Sequence, residues 1–311
     1  MNNQYKQMGV TEFGISEQLN VRMSTKPMLG AEQVWVRVLA SSVNPIDIKT
    51  RSGHGYVAQA KLPGEFLPLG YDLLGVVEQV GEDVSDIQPG DTVLGMVGFP
   101  SSPGCYASHV IASSEQIICV EEKVSLDIAG LSLAGLTAVQ ALSKLSTSNG
   151  TLYINAPTGG VGHLAVQIAK NIGFDVVAVT NRGDLIASFE FELPYIHYDD
   201  FFAQKKAGQL LDLVGGEIAK KMLSNMERGS FFVTVPTVTK DDVITHGHSL
   251  EMRGESVLVA PNCQQLNTLY QAVVNNQLKV VVSEKYKLDE LSQAHTFVEQ
   301  GQHFGKVIIV A

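Results

Sequence analysis

Residues 155–162 read Asn-Ala-Pro-Thr-Gly-Gly-Val-Gly, a glycine cluster lodged between a β-like run at 151–154 and a helix-like segment that begins near Gly162. Glycines at a strand-to-helix turn let the backbone approach a pyrophosphate, and the helix N-terminus offers N–H groups and the positive end of its dipole. The next residues place Ala165, Ile168, Ala169 and Ile172 on one helical face, with Gly173 as a stop. A second β-like run at 175–180 completes a strand–turn–helix–strand module of the length that a dinucleotide-binding βαβ unit requires.

The end of that second run reads Val179-Thr180-Asn181-Arg182. A protein that binds the free ribose 2′-hydroxyl of NAD carries Asp or Glu there, and here Asp184 comes only after a glycine. Arg182 lies 20 residues past Gly162, the distance of the ribose-recognition position. A guanidinium pairs bidentately with a 2′-phosphate, which a carboxylate would repel. The expected cofactor is therefore NADPH, held at the turn by Gly159, Gly160, Val161 and Gly162 and at the strand end by Thr180, Asn181 and Arg182. A solvated loop arginine is the alternative for Arg182; its placement favours the cofactor role. Pro157 stands where the first glycine of G-x-G-x-x-G would be, fixing φ and removing an N–H.

The rest of the chain must position this module. At 311 residues it is long for one core, and two domains are expected. The first ~120 residues carry strand-like runs at 34–38, 75–81 and 92–95, separated by turn clusters such as Gln88-Pro89-Gly90-Asp91. From about Ser125 the pattern becomes helical, then alternates strands (195–198, 209–214, 230–235) with a helix at 217–226, as a parallel sheet covered by helices does. Helices at 264–275 and 288–299, a β-like run at 279–283 and a terminal strand at 306–310 close the chain. The segment 245–248, with His246 and His248, reads as a polar loop and not as a metal site.

Composition narrows the partners. A net charge of −10 argues against binding nucleic acid or an anionic membrane through a basic surface. Cys105, Cys119 and Cys263 are odd in number and without CxxC spacing, which points to free thiols in a reducing compartment. The N-terminal residues show no signal-peptide pattern, and the expected location is the cytoplasm.

Seven strings occur in order along nearly the whole chain: SSVNPIDIKTRSG (41–53), LGYDLLGVVEQVG (69–81), QPGDTVLG (88–95), LAGLTAVQAL (133–142), NAPTGGVG (155–162), LDLVGG (211–216) and HFGKVIIV (303–310). Together they resemble the medium-chain dehydrogenase/reductase superfamily, specifically its zinc-free quinone oxidoreductase branch. The resemblance implies an α/β protein with a GroES-like β-rich catalytic domain from 1–123 and 259–311 and a Rossmann domain over 124–258. It also implies an active site in the cleft between them, and a homodimer or homotetramer.

In zinc-dependent relatives a Cys and a His ligate the metal at the places held here by Asn44 and Tyr71, which are poor zinc ligands; no metal is expected. Asn44 becomes the leading catalytic residue, an amide donor aimed at the acceptor oxygen, with an Asx-type turn before Pro45 as the compatible alternative. Tyr56 stands one residue off the spacing at which related enoyl-thioester reductases carry a proton-donating tyrosine. By the same resemblance Thr137 lies near the nicotinamide and Tyr198 by the adenine, an ordinary strand aromatic being the alternative for Tyr198. Asp47 and Arg51 read as structural, an ion pair bracing their loop, and Lys306 as a cap on the terminal strand, contact with the cofactor being its alternative. The activity expected is zinc-independent, NADPH-dependent hydride transfer to a quinone-type acceptor. C=C reduction of an enone or enoyl compound is the alternative, and a non-catalytic NADPH-binding sensor or structural protein is the alternative of another class.

Overall fold

The computed structural model describes residues 4–187, 189 and 191–311, apart from the side chain of Tyr56. Contacts divide the chain into two units: 1–136 with 260–275 and 280–311, and 137–259 with 276–279. The boundaries expected above were 123/124 and 258/259.

The first unit opens with β1 (Gln4–Val10), β2 (Asn20–Thr25), β3 (Gln33–Ser42), α1 (Pro45–Arg51), α2 (Tyr56–Ala60) and β4 (Leu67–Pro68). It continues through β5 (Asp72–Val80), β6 (Thr92–Met96), β7 (His109–Ser113) and β8 (Ile117–Val120) into α3 (Ser132–Leu142), which the division at 136/137 splits. The second unit contains β9 (Leu152–Asn155), α4 (Gly162–Asn171), β10 (Val176–Val179), α5 (Gly183–Ile186), β11 (Tyr195–Ile196) and α6 (Tyr198–Phe202). Then follow β12 (Gln209–Asp212), α7 (Gly216–Ser224), β13 (Phe231–Thr234), α8 (Lys240–Ser249) and β14 (Arg253–Ser256). The chain ends with α9 (Cys263–Val274), β15 (Val282–Lys287), α10 (Leu291–Glu299) and β16 (Lys306–Val310).

In the first unit alternation does the sorting. Val34, Val36 and Val38 of β3 point one way, into a core with Leu73, Val77 and Val93. β16 pairs antiparallel with the far end of β3, Ile308 opposite Ser42 and Val310 opposite Ala40, so residues from both ends of the chain share one sheet. Val307 and Ile309 pack with Met8, Val10, Leu69 and Leu291 in a second core. The Gln88–Asp91 corner is built as its residues suggest: the Asp91 carboxylate accepts the Gln88 N–H at 2.9 Å, and Gly90 takes φ +101°.

In the second unit six parallel strands run in the order β11-β10-β9-β12-β13-β14. Numbered from β9 this is 3-2-1-4-5-6, the doubly wound order whose ligand crevice opens at the strand carboxyl ends, where the winding reverses between β9 and β12. The fold is thus mixed α/β, a GroES-like unit and a Rossmann-like parallel sheet.

Four local readings need correction. Residues 245–248 belong to helix α8, not to a loop. Gly247 allows this, since a Cβ there would stand 2.3 Å from the Phe232 ring. The strand expected at 279–283 lies later, as β15, because its register is set by β16, while Lys279 exchanges backbone hydrogen bonds with the Gln167 amide at 2.9 and 3.0 Å. The buried residues of α4 include Leu164, Ala165, Val166 and Ala169, while Ile172, its C-cap, is 55% exposed. Tyr198 is not in a strand: β11 ends at Ile196, and Tyr198 opens α6. Among the described residues no helix is long and apolar enough to cross a membrane.

Candidate functional site

Each unit contributes one polar centre. In the second unit the turn after β9 is tightly built. Ala156, the residue after the strand, has φ +48°, a left-handed conformation that costs a non-glycine residue on the order of 1 kcal/mol or more. Its carbonyl accepts the Gly159 N–H at 3.0 Å and fills the space beside Gly162, where a Cβ would stand 2.0 Å away. Only glycine lets the first turn of α4 lie this close to the strand. Gly159, Gly160 and Val161 form the approach to that helix, with Val161 as its N-cap.

The Tyr198 hydroxyl accepts a hydrogen bond from the Ala156 backbone; burial first, and the Asp212 carboxylate second, push its pKa up to about 12. Tyr198 thus sits under the glycine turn as a neutral phenol. The end of β10 is bonded locally as well. Thr180 Oγ1 accepts the Arg182 N–H at 3.0 Å, and Asn181 Oδ1 accepts the Tyr198 N–H at 3.2 Å. Arg182, half-buried, is the N-cap of α5, and Thr180 is 5% exposed. Turn, strand end and Tyr198 are thereby brought together in one unit. Thr137, the first residue counted with this unit, is buried in α3.

The centre in the first unit is a closed network around Asp72 on β5. Its Oδ2 accepts the Asn44 amide at 2.8 Å and the Ser42 hydroxyl at 2.5 Å, and its Oδ1 accepts the Leu133 N–H in the first turn of α3 at 2.7 Å. A carboxylate at a helix N-terminus also meets the positive end of the dipole. Lys306 Nζ reaches from β16 to Asn44 Oδ1 at 2.6 Å and Val43 O at 3.0 Å, and lies 3.8 Å from Asp72 Oδ2. Burial lowers the pKa of Lys306, with Asp72 and Asp47 opposing the shift. Lys306 is therefore no simple cap on the terminal strand; it is the cation of a buried polar core.

Asn44 is the N-cap of α1, and its N–H is held by Asp47 Oδ2 at 2.8 Å. Its side-chain Nδ2 donates to Asp72 and, at 3.2 Å, to Ser42 O, and the residue is 1% exposed. As a donor to a bound acceptor it would have to release one of these partners. Asp47 and Arg51 do not pair with each other. Arg51 forms a two-pronged bond to Glu299, at 2.5 and 3.2 Å, while Asp47 accepts the Tyr106 hydroxyl at 2.9 Å. Tyr71, at the other former ligand place, is fully buried and donates to Pro100 O at 3.0 Å. Tyr56 opens α2, and its side chain lies outside the described residues. Among the described residues no group of three or more His, Cys, Asp or Glu side chains gathers as metal ligands would.

The sequence reading missed Asp72 and Lys306 as network members, and Asp212. No local periodicity links Lys306 with Asn44, which lie 262 residues apart. One available signal was the acid of Gly70-Tyr71-Asp72, an ionisable group inside a run of apolar strand residues.

Comparison with known proteins places this geometry among relatives. The alcohol dehydrogenase GroES-like domain family matches residues 30–131, and the zinc-binding dehydrogenase family matches residues 196–309. The 2-methylene-furan-3-one reductase of Solanum lycopersicum is 28% identical over 99% of this chain and 79% of its own. The quinone oxidoreductase of Homo sapiens is 28% identical over 97% of this chain and 96% of its own. The solved structure of the quinone oxidoreductase from Coxiella burnetii is 34% identical, covers 99% of both chains and superposes with a TM-score of 0.91.

Proposed function

We propose, since the chain belongs to the quinone-oxidoreductase-like branch of the medium-chain dehydrogenase/reductase superfamily, that this oxidoreductase uses NADPH, works without zinc and reduces a quinone-type acceptor. The observation that carries the cofactor reading is the end of β10, where Thr180, Asn181 and Arg182 stand and no carboxylate does. The residues present fit a dinucleotide: the turn closes on a Gly162 that tolerates no side chain, and α4 begins at its mouth. Gly159, Gly160, Val161 and Gly162 would hold the pyrophosphate, Asn181 and Arg182 the 2′-phosphorylated ribose, Tyr198 the adenine side and Thr137 the nicotinamide side. When bound, NADPH supplies a hydride.

The chain's own part is positioning, which can contribute several kcal/mol to lowering a barrier. On the acceptor side Tyr56 is read as the proton source. Asn44 is read as the amide whose orientation Asp72 and Lys306 set.

A second reading is favoured by one observation. The tomato relative that spans 99% of this chain is named a reductase of a methylene-furanone, a conjugated enone. Quinones and enones share an electron-poor conjugated carbonyl, so one experiment separates them: NADPH and NADH oxidation by the purified protein against a panel of quinones, enones and enals. The expected result is faster turnover with NADPH and with quinones. Turnover confined to enones would install the second reading, and none with any acceptor would refute both.

A further inference from the structure

The geometry points to Asn155 and Asp212 as the positioning pair of the dinucleotide cradle, an inference that rests on the NADPH reading above. Asp212 ends β12 and Asn155 ends β9, neighbouring strands on either side of the point where the sheet reverses its winding. Both are fully buried. Asp212 Oδ1 accepts Asn155 Nδ2 at 2.7 Å, Gly215 N at 2.9 Å and Val214 N at 3.1 Å, and its Oδ2 accepts the Thr234 hydroxyl at 2.7 Å. Asn155 Oδ1 in turn accepts the Leu213 N–H at 2.5 Å.

The pair therefore joins two loops. One is the glycine turn, since Asn155 immediately precedes Ala156, whose left-handed backbone sets the approach of Gly159 and Gly162. The other is the segment after β12, whose three successive amides at Leu213, Val214 and Gly215 are all turned inward onto these two side chains. Both loops leave the carboxyl ends of strands at the crevice where doubly wound sheets bind their ligands. Three donors converge on the one Oδ1 oxygen and a fourth bond returns from Leu213 to Asn155, so the loops are fixed before any ligand arrives. Preorganisation of this kind appears as affinity.

Thr234 supplies the internal control. It bonds the same carboxylate from β13, at the oxygen that touches neither loop. The experiment measures NADPH and NADH affinity by cofactor fluorescence, and urea stability, for the wild type, Asn155→Ala, Asn155→Ser, Asp212→Asn and Thr234→Val. Asn155→Ala and Asn155→Ser are expected to bind NADPH about tenfold more weakly, the scale of a lost buried hydrogen bond with its partner left unsatisfied. Asp212→Asn keeps an acceptor at the Oδ1 position but weakens the bonds it accepts, and is expected to bind NADPH about threefold more weakly, a smaller loss than that of Asn155→Ala. Thr234→Val also loses a buried hydrogen bond, and is expected to lose stability with affinity within about twofold.

Wild-type affinity in a folded Asn155 variant would overturn the inference. So would a Thr234→Val loss as large as that of Asn155→Ala, because affinity would then follow stability alone. Should Asn155→Ala fail to fold, Asn155→Ser and the Thr234→Val contrast carry the decision. A wild-type protein that binds neither NADPH nor NADH would instead refute the cofactor reading beneath it.

Discussion

Two buried groups on either side of Tyr106 should cancel each other's pH dependence, and removing either should expose the other. His295, on α10, has no hydrogen-bond partner at either ring nitrogen; burial first, and the Arg51 charge second, push its pKa from 6.5 down to about 3. Asp47 moves the opposite way, from 3.8 up to about 7, because burial outweighs the help of the Asn44 N–H, the Tyr106 hydroxyl and Lys306, and the Asp72 carboxylate adds to the rise. The Tyr106 ring lies 5.8 Å from that of His295, edge to face, with its hydroxyl on Asp47.

Below pH 6.5 the unfolded chain protonates His295 and the folded chain does not until about pH 3, so His295 makes stability fall as pH falls. Between pH 3.8 and about 7 the folded chain keeps a proton on Asp47 that the unfolded chain has lost, so Asp47 makes stability rise as pH falls. Each slope is about 1.4 kcal/mol per pH unit. From pH 6.5 to 4.5 the two contributions oppose each other, each amounting to roughly 3 kcal/mol.

Asp47→Asn should therefore lose roughly 3 kcal/mol relative to wild type on going from pH 6.5 to 4.5, and His295→Leu should gain about as much. Urea titrations followed by Trp35, the single tryptophan and a buried residue of β3, report unfolding of this unit directly. Wild type and both variants giving parallel stability-versus-pH curves would show that neither group changes its proton affinity on folding, and the reasoning would fall.

Two further outcomes follow from the same geometry. Lys306→Met leaves Asp72 buried without its cation and should cost about 3–5 kcal/mol in Trp35-monitored urea unfolding; a loss below about 1 kcal/mol would mean that the neutral donors around Asp72 suffice. Arg182→Ala should weaken NADPH by about tenfold or more, the worth of a charge-assisted phosphate contact, and leave NADH nearly unchanged; equal losses for both cofactors would remove Arg182 from phosphate recognition.

The Rossmann-like half was legible because its signals are local. The strand, glycine turn, helix and second strand lie within about thirty consecutive residues, and the periodicity of each reports directly on burial. Elsewhere the decisive contacts are distant. Helix α8 carries Thr-His-Gly-His and lacks a clear apolar stripe; it is seated by Val243 in the core and by the missing side chain of Gly247 against Phe232. Lys306 looked like a cap because its partners come from β5 and from the start of α1. Tyr198 read as a strand residue because aromatic residues favour strands, while its hydroxyl is claimed by Ala156, and position 198 is already helical.

The origin of β16 bears on how the chain is made. A growing polypeptide presents Asp72, Ser42 and Asn44 long before Lys306 leaves the ribosome, whereas every strand of the parallel sheet, β9 to β14, is complete by Ser256. Synthesis at about 5–20 residues per second separates those two moments by seconds, far longer than most folding steps. The parallel sheet can therefore form while Asp72 still waits for its cation, and a strand translated late completes a sheet begun early.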